Sequence, residues 1–224
     1  MIRISKDEMI KSSKSSIGDM YDNLSSKKEI NIKEIDISTT ALVIVDMING
    51  FVREGALKSS RVEDIVPSIL ALQKFFVEGR GEILAFVDTH TSGAKEFITY
   101  PEHCIEGTTE SQVLDEIKLI SGYREIKKNS TNGFVEEEFK AFLANNNKIK
   151  NFIVVGCCTD ICVMQLCLTL KNYFNMKNES SRIIVPINCV ETFDLSSHNG
   201  DVVDMVSLQL MEWAGIQIVS SISL

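Results

Sequence analysis

The side chains of this chain that can do chemistry cluster at the ends of short apolar runs. EILAFVD (82–88) leads into Asp88-Thr89-His90. On an extended chain Asp88 and His90 point the same way, because side chains alternate with period two. A carboxylate and an imidazole on one side make a pair of metal ligands. Of the three histidines, His90 and His103 flank one long polar loop, with Glu96 between them, and the third is His198. Asp88, His90, Glu96 and His103 form a mixed nitrogen–oxygen set suited to one divalent ion such as zinc, manganese or iron. No cysteine pair supports a closed structural zinc site, and Cys104 beside His103 is not counted among the ligands.

Two further strand ends carry reactive groups. ALVIV (41–45) ends at Asp46, a placement that serves an acid–base carboxyl and equally a turn or helix cap. GCCTDICV (156–163) follows a buried run and leads into a helical pattern. With Thr159 or Asp160 as cap, Cys162 lies in the first helical turn, where the unpaired N–H groups lower a thiol pKa. The spacing CC-x3-C is not that of a C-x-x-C redox pair, and all three cysteines could equally be small packing residues. Activation of a thiol needs a nearby base or cation; Asp46 and Lys128 are the candidates.

The elements that must position these groups follow a regular rhythm. Strands are expected at 41–45, 82–88, 124–128, 151–156, 182–188 and 216–221. Helices are expected after Pro67, around 113–120, around 135–143, and over 159–175 and 199–214. This alternation implies crossover units and a mostly parallel, six-stranded sheet with helices on both faces, an α/β fold of three layers. Ligands in such sheets bind at the carboxyl ends of the strands, which is where Asp46, Asp88-Thr89-His90, Lys127-Lys128 and the Gly156–Thr159 turn fall. The polar stretch of roughly twenty residues after Asp88 is too long for a simple connection and reads as a functional loop. Residues 1–28 read as an N-terminal arm or short amphipathic helix, and 29–224 as the single domain. The alternation of Ile30, Ile32 and Ile35 suggests an edge strand. Trp213 is placed on the core side of the last helix, and His198 at a helix start or on the surface, with a place lining the pocket as the alternative.

Composition narrows the class. The chain has 224 residues, 31 acidic against 23 basic, for a formal charge of −8. Without a basic tract, nucleic acid and anionic membranes are not expected partners. No run approaches the ~18 apolar residues of a membrane span, and the first residues lack the apolar stretch of a signal peptide. A cytoplasmic protein with reduced thiols is expected, and self-association is left open.

Taken together and in order, DMINGF after an apolar strand, DTH, YPEHCIEGT, a Lys six residues before Phe134, and GCCTDICV resemble the isochorismatase-like cysteine hydrolase superfamily, most of all its nicotinamidase (pyrazinamidase) branch. The resemblance runs from about residue 40 to the end. It implies Cys162 as nucleophile, Asp46 as the base and Lys128 as the third catalytic residue, with Lys127 as the alternative. It implies Asp88, His90 and His103 as metal ligands, with Glu96 where many members have a second loop histidine. Phe51, Tyr100 and Cys158 would line the ring pocket. A cis Cys157–Cys158 peptide would help aim the N–H groups of Cys158 and Cys162 at one point, an oxyanion hole. Asn49-Gly50 departs from the commoner Asn-Asp.

The activity so implied is hydrolysis of nicotinamide to nicotinate and ammonia through a Cys162 thioester, as in NAD salvage, with the metal fixing the pyridine ring. A related hydrolase of another small amide, and a non-catalytic metal-binding domain, are the alternatives. The metal set separates the first from metal-free relatives, and the joint presence of Asp46, Lys128 and Cys162 argues against the last.

Overall fold

The structure, a computed structural model, describes residues 3–224; Met1 and Ile2 of the N-terminal arm lie outside the described residues. In chain order the elements are α1 (Lys6–Ser25), β1 (Ile30–Asn31), β2 (Thr40–Val45), α2 (Asn49–Val52), α3 (Ser60–Asp64), α4 (Val66–Glu78), β3 (Glu82–Asp88), α5 (Asp115–Ile120) and β4 (Arg124–Lys128). There follow α6 (Glu137–Asn145), β5 (Asn151–Cys157), a π-helical turn (Thr159–Val163), α7 (Met164–Met176), β6 (Arg182–Pro186), β7 (Val190–Glu191), α8 (Gly200–Trp213), β8 (Gln217–Val219) and β9 (Ile222–Ser223).

The main sheet runs β4-β3-β2-β5-β6-β8, and every pairing in it is parallel. The six expected strands are all present. A seventh, β7, pairs with the end of β5; two residues long, it is too short to register as a periodic signal. Parallel strands need both faces covered, and the alternation along each strand sorts the side chains. Leu42, Ile44, Ile83, Ala85, Ile153 and Val155 pack on the α4 side with Ile69, Leu72 and Phe76. Ala41, Val43, Leu84, Phe86, Phe152 and Val154 pack on the other side with Phe139, Leu166, Leu170 and Met211. Each fully buried large side chain contributes about 1.5–3 kcal/mol relative to exposure, so both helical layers are fixed by the central strands.

Two expectations are corrected, those for the segment 29–37 and for Trp213, and the helix reading of the N-terminal segment is borne out at greater length. The segment 29–37 is a strand for only two residues, pairing with β9; the Asn31 side chain then accepts the Lys33 N–H and the chain curls into a 3-10 turn over Ile32–Glu34. The N-terminal arm is a full 20-residue helix with a Ser5/Glu8 capping box. It docks on α8 through Asn23, which donates to Gln209 and Glu212, and through the ion pair of Lys27 with Glu212. Trp213 is 71% exposed: α8 turns Leu208 and Met211 inward, so the face carrying Leu210 and Trp213 looks outward.

Strand order sets the location of the site. From β2 the chain steps to β3 and β4 on one side, then returns to place β5 on the other. The resulting crevice at the carboxyl ends of β2 and β5 is the switch point where open α/β sheets bind ligands. Gly156 keeps this crevice narrow. Its φ is +112°, and a Cβ there would lie 2.0 Å from the Val45 carbonyl oxygen; only glycine allows so close an approach.

Candidate active site

Register brings the expected residues together. Val45 pairs with Phe86 on one side and Gly156 on the other, and Asp88 pairs with Lys128. Asp46, Asp88, Lys128 and the Cys157–Cys158 turn therefore share one edge. Asp46 leaves β2 with φ +54°, a left-handed conformation that Asp tolerates better than most residues. Its Oδ1 accepts the backbone N–H of Asp88 at 3.0 Å.

Lys128 is fully buried, and its ammonium is the hub of the site. Nζ lies 2.9 Å from Asp46 Oδ2 and 2.8 Å from Asp88 Oδ1. The same Nζ is 3.6 Å from Cys162 Sγ. Lys127 points out of the sheet edge and pairs with Glu106 at 3.1 Å, so alternation along β4 selects Lys128.

The charges are unequal. Burial pushes the Asp46 carboxyl up, Lys128 pulls it back and Asp88 pushes it further, leaving it at about 6. Burial also acts on Asp88, but Lys128, His103 and His90 outweigh it and hold that carboxyl well below its usual range. Burial opposes the Lys128 charge, yet Asp46 and Asp88 keep the ammonium protonated. The site thus holds one firmly ionised carboxylate on a lysine and a second carboxyl poised to gain or lose a proton.

Cys162 sits in the π-helical turn that opens α7, a feature found mostly at functional sites. The helix-start argument expects a lowered thiol pKa. The structure reverses this: burial raises it, Lys128 opposes, and Asp46 and Asp88 raise it further. The resting group is a thiol beside a carboxyl that can accept its proton. The expected side-chain cap is also absent. Cys158 caps the turn with its carbonyl, which accepts the N–H groups of Ile161 and Val163, and the Asp160 carboxylate turns instead to Thr192 and His198. The Cys157–Cys158 peptide is cis.

Across the crevice, ligand atoms of Asp88, His90, Glu96 and His103 all lie within 4.8 Å of one another. The tautomers suit a cation. His103 Nδ1 faces the Pro101 carbonyl oxygen at 2.8 Å, so it donates there. His90 Nδ1 donates to Asn129 Oδ1 at 3.1 Å, an oxygen that also accepts the Thr91 N–H. Each Nε2 faces the same Asp88 Oδ2, at 3.1 and 3.2 Å, a pairing that needs positive charge, either as protons on the imidazoles or as a metal ion that replaces them. Two imidazoles and a carboxylate converging in a buried space make a seat for a cation, and donation from each Nδ1 is the kind that orients metal-binding imidazoles. Glu96, 4.0 Å from His90 Nε2, is the outermost member.

A cleft of about 440 Å³, mouth included, joins thiol and cluster. Phe51, Tyr100 and Cys158 line it as expected, together with Leu57, Thr131, Ile161 and Phe193. Phe193 lies in a stretch without periodic signal, and sequence reasoning passed over it. Phe97 was also missed: it packs edge-on against both His90 and His103, at 5.3 and 5.7 Å between ring centres. Asn129 had one sequence cue, its place directly after Lys128.

Comparison with protein families matches residues 40–214 to the Isochorismatase domain. The chain is 28% identical to Nicotinamidase 1 of Arabidopsis thaliana, over 91% of this chain and 96% of that protein. Among solved structures it is similar to a nicotinamidase from Bacillus subtilis (22% identity, TM-score 0.68, covering 81% of this chain and 99% of that one). It is likewise similar to a pyrazinamidase of Pyrococcus horikoshii in complex with zinc (21%, TM-score 0.66, 81% and 98%). The same fold recurs in an N-carbamoylsarcosine amidase from Thermoplasma acidophilum (23%, TM-score 0.65, 81% and 95%).

Proposed function

For this chain, which belongs to the isochorismatase family, we propose hydrolysis of nicotinamide to nicotinate and ammonia, a step that serves NAD salvage. The observation that carries this reading is the shared ammonium of Lys128, 2.9 Å from Asp46 and 3.6 Å from Cys162 Sγ, behind a cleft that Cys162 lines together with Asp88, Glu96 and His103 of the metal-ligand cluster.

Asp46 takes the thiol proton as Cys162 Sγ attacks the amide carbon, and Lys128 offsets the negative charge passing between them. The tetrahedral oxyanion is received by the N–H groups of Cys158 and Cys162. Asp46 returns the proton to the leaving nitrogen, the C–N bond breaks, and ammonia leaves a nicotinoyl thioester. Water then attacks the thioester with Asp46 as base, releasing nicotinate and restoring the thiol. A carboxyl held near 6 is matched to both directions of this proton transfer near neutral pH. Asp88, His90, Glu96 and His103 would hold one divalent ion, of the zinc, manganese or iron kind, which supplies a Lewis-acid seat for the pyridine nitrogen. Phe51 and Tyr100 flank the ring, and the largely apolar wall excludes water from the attacking sulfur.

The alternative substrate is another small amide. Nicotinamide is favoured because the cluster faces the thiol across one cleft, which suits an aromatic amide with a ring nitrogen. Rapid acid quench of the enzyme in turnover, followed by peptide mass mapping, is expected to show a nicotinoyl group on Cys162. An adduct on another cysteine, or turnover undiminished in Cys162→Ala, would contradict the proposal.

A further inference from the structure

One wall of the cleft is held by a device that the reaction chemistry does not use. The Phe193 ring lies flat on the His198 imidazole, with centres 4.0 Å apart and planes 6° from parallel. His198 Nδ1 faces the Phe193 carbonyl oxygen at 2.9 Å, and Nε2 faces Asp160 Oδ2 at 3.0 Å. Both partners accept and neither donates, so both ring nitrogens carry protons and the ring is an imidazolium. Burial opposes that charge, but the Asp160 carboxylate outweighs it and raises the His198 pKa. The other Asp160 oxygen accepts the Thr192 hydroxyl at 2.5 Å. Asp160 is two residues from Cys162, so these contacts tie the turn bearing the thiol to the segment bearing Phe193. Residues 194–197 are themselves exposed, and the segment is further tied by Asp194, which accepts from the Gly200 N–H and from Arg61.

We propose that Phe193 is a specificity wall selecting a flat aromatic amide, and that His198, anchored by Asp160, is the positioning residue that keeps the Phe193 ring in the cleft. A cation under one face of an aromatic ring is attracted to it. With that face occupied and the backbone carbonyl bonded to the same imidazole, the ring has one orientation to offer the substrate. The contribution is to ring binding before and during reaction alike, so it belongs in KM rather than in kcat.

This inference rests on the nicotinamide reading, and steady-state kinetics with nicotinamide separate the two. His198→Ala is expected to raise KM about three- to tenfold, the worth of one aromatic contact, with kcat held within about twofold. Phe193→Leu should raise KM at least as much. The double variant should be no worse than Phe193→Leu alone, because His198 acts through Phe193. His198→Tyr, which restores a ring under Phe193, should recover most of the loss. Where His198→Ala does not fold, His198→Gln carries the same expectation, since it too lacks a ring. An unchanged KM in the ringless variant, additive losses in the double variant, or a fall in kcat alone would overturn the proposal. A wild-type enzyme that leaves nicotinamide intact overturns the parent reading and this one with it; a wild-type enzyme that turns over beside a silent His198 variant overturns this one alone.

Discussion

Asp46 accepts the backbone N–H of Asp88 through its Oδ1 at 3.0 Å, which locks the carboxyl beside the thiol to the strand end that carries the first metal-ligand candidate. Lys128 completes the link by pairing with both carboxylates. Asp46 and Asp88 thus stand at the ends of adjacent parallel strands, and their relative geometry is set by sheet register.

Removing the shared cation tests that linkage. Lys128→Met leaves two buried carboxyls facing each other without compensation. Breaking a buried ion pair from one side costs about 3–5 kcal/mol. Thermal unfolding of Lys128→Met should show a loss of that order together with lost activity. A variant as stable as wild type would mean that the Lys128 pairs do not hold this edge.

Asp46→Asn keeps the shape of the side chain and its acceptor for the Asp88 N–H, but removes the base. The fold should survive, while kcat/KM falls about 10²- to 10⁴-fold. Near-wild-type turnover would assign the proton transfer to another group.

The convergence of two imidazole Nε2 atoms on Asp88 Oδ2 makes metal binding measurable without turnover. Zinc added to chelated protein should raise the melting temperature, with a gain of about 2.7 kcal/mol once the free ion reaches a hundred times its Kd. His103→Ala should abolish that gain, and Glu96→Ala should only weaken it. A shift that survives His103→Ala would place the ion elsewhere.

Asp204 gives a pH signature away from the metal loop. Burial raises its carboxyl to about 7, the Thr159 hydroxyl opposing and Glu191 reinforcing, and Oδ1 has no hydrogen-bond partner. A carboxyl whose pKa is higher folded than unfolded favours the folded state while protonated. That contribution is complete below about pH 4 and is lost as pH rises to about 7. Asp204→Asn should therefore match wild type near pH 4 and be more stable near pH 8, by roughly 4 kcal/mol. Equal stability at both pH values would show that Asp204 is solvated in the folded protein.

The central strands were legible because a parallel sheet covered on both faces demands unbroken apolar runs, and these end where chemistry begins. That made Asp46, Asp88 and His90 visible as strand-end residues, and left Lys127 and Lys128 to be separated by alternation along β4. What sequence hid had no period to reveal it. The two-residue β7 is shorter than any pattern, and the Asn31 turn stops β1 after one pairing step. Phe193 and His198 meet only because a polar segment folds back under Asp160. The Cys162 pKa reversed for a similar reason. Proximity to a helix start is local and readable, whereas burial among two carboxyls depends on strands β2 and β3, distant in sequence.

The most direct measurement is ammonia release from nicotinamide by metal-loaded wild type beside Cys162→Ser and Asp46→Asn. The account predicts sustained release by wild type, suppressed by chelator and restored by metal, and a loss of several orders of magnitude in Cys162→Ser with the fold intact. Correctly folded, metal-loaded wild type that leaves nicotinamide untouched while hydrolysing another small amide would contradict it.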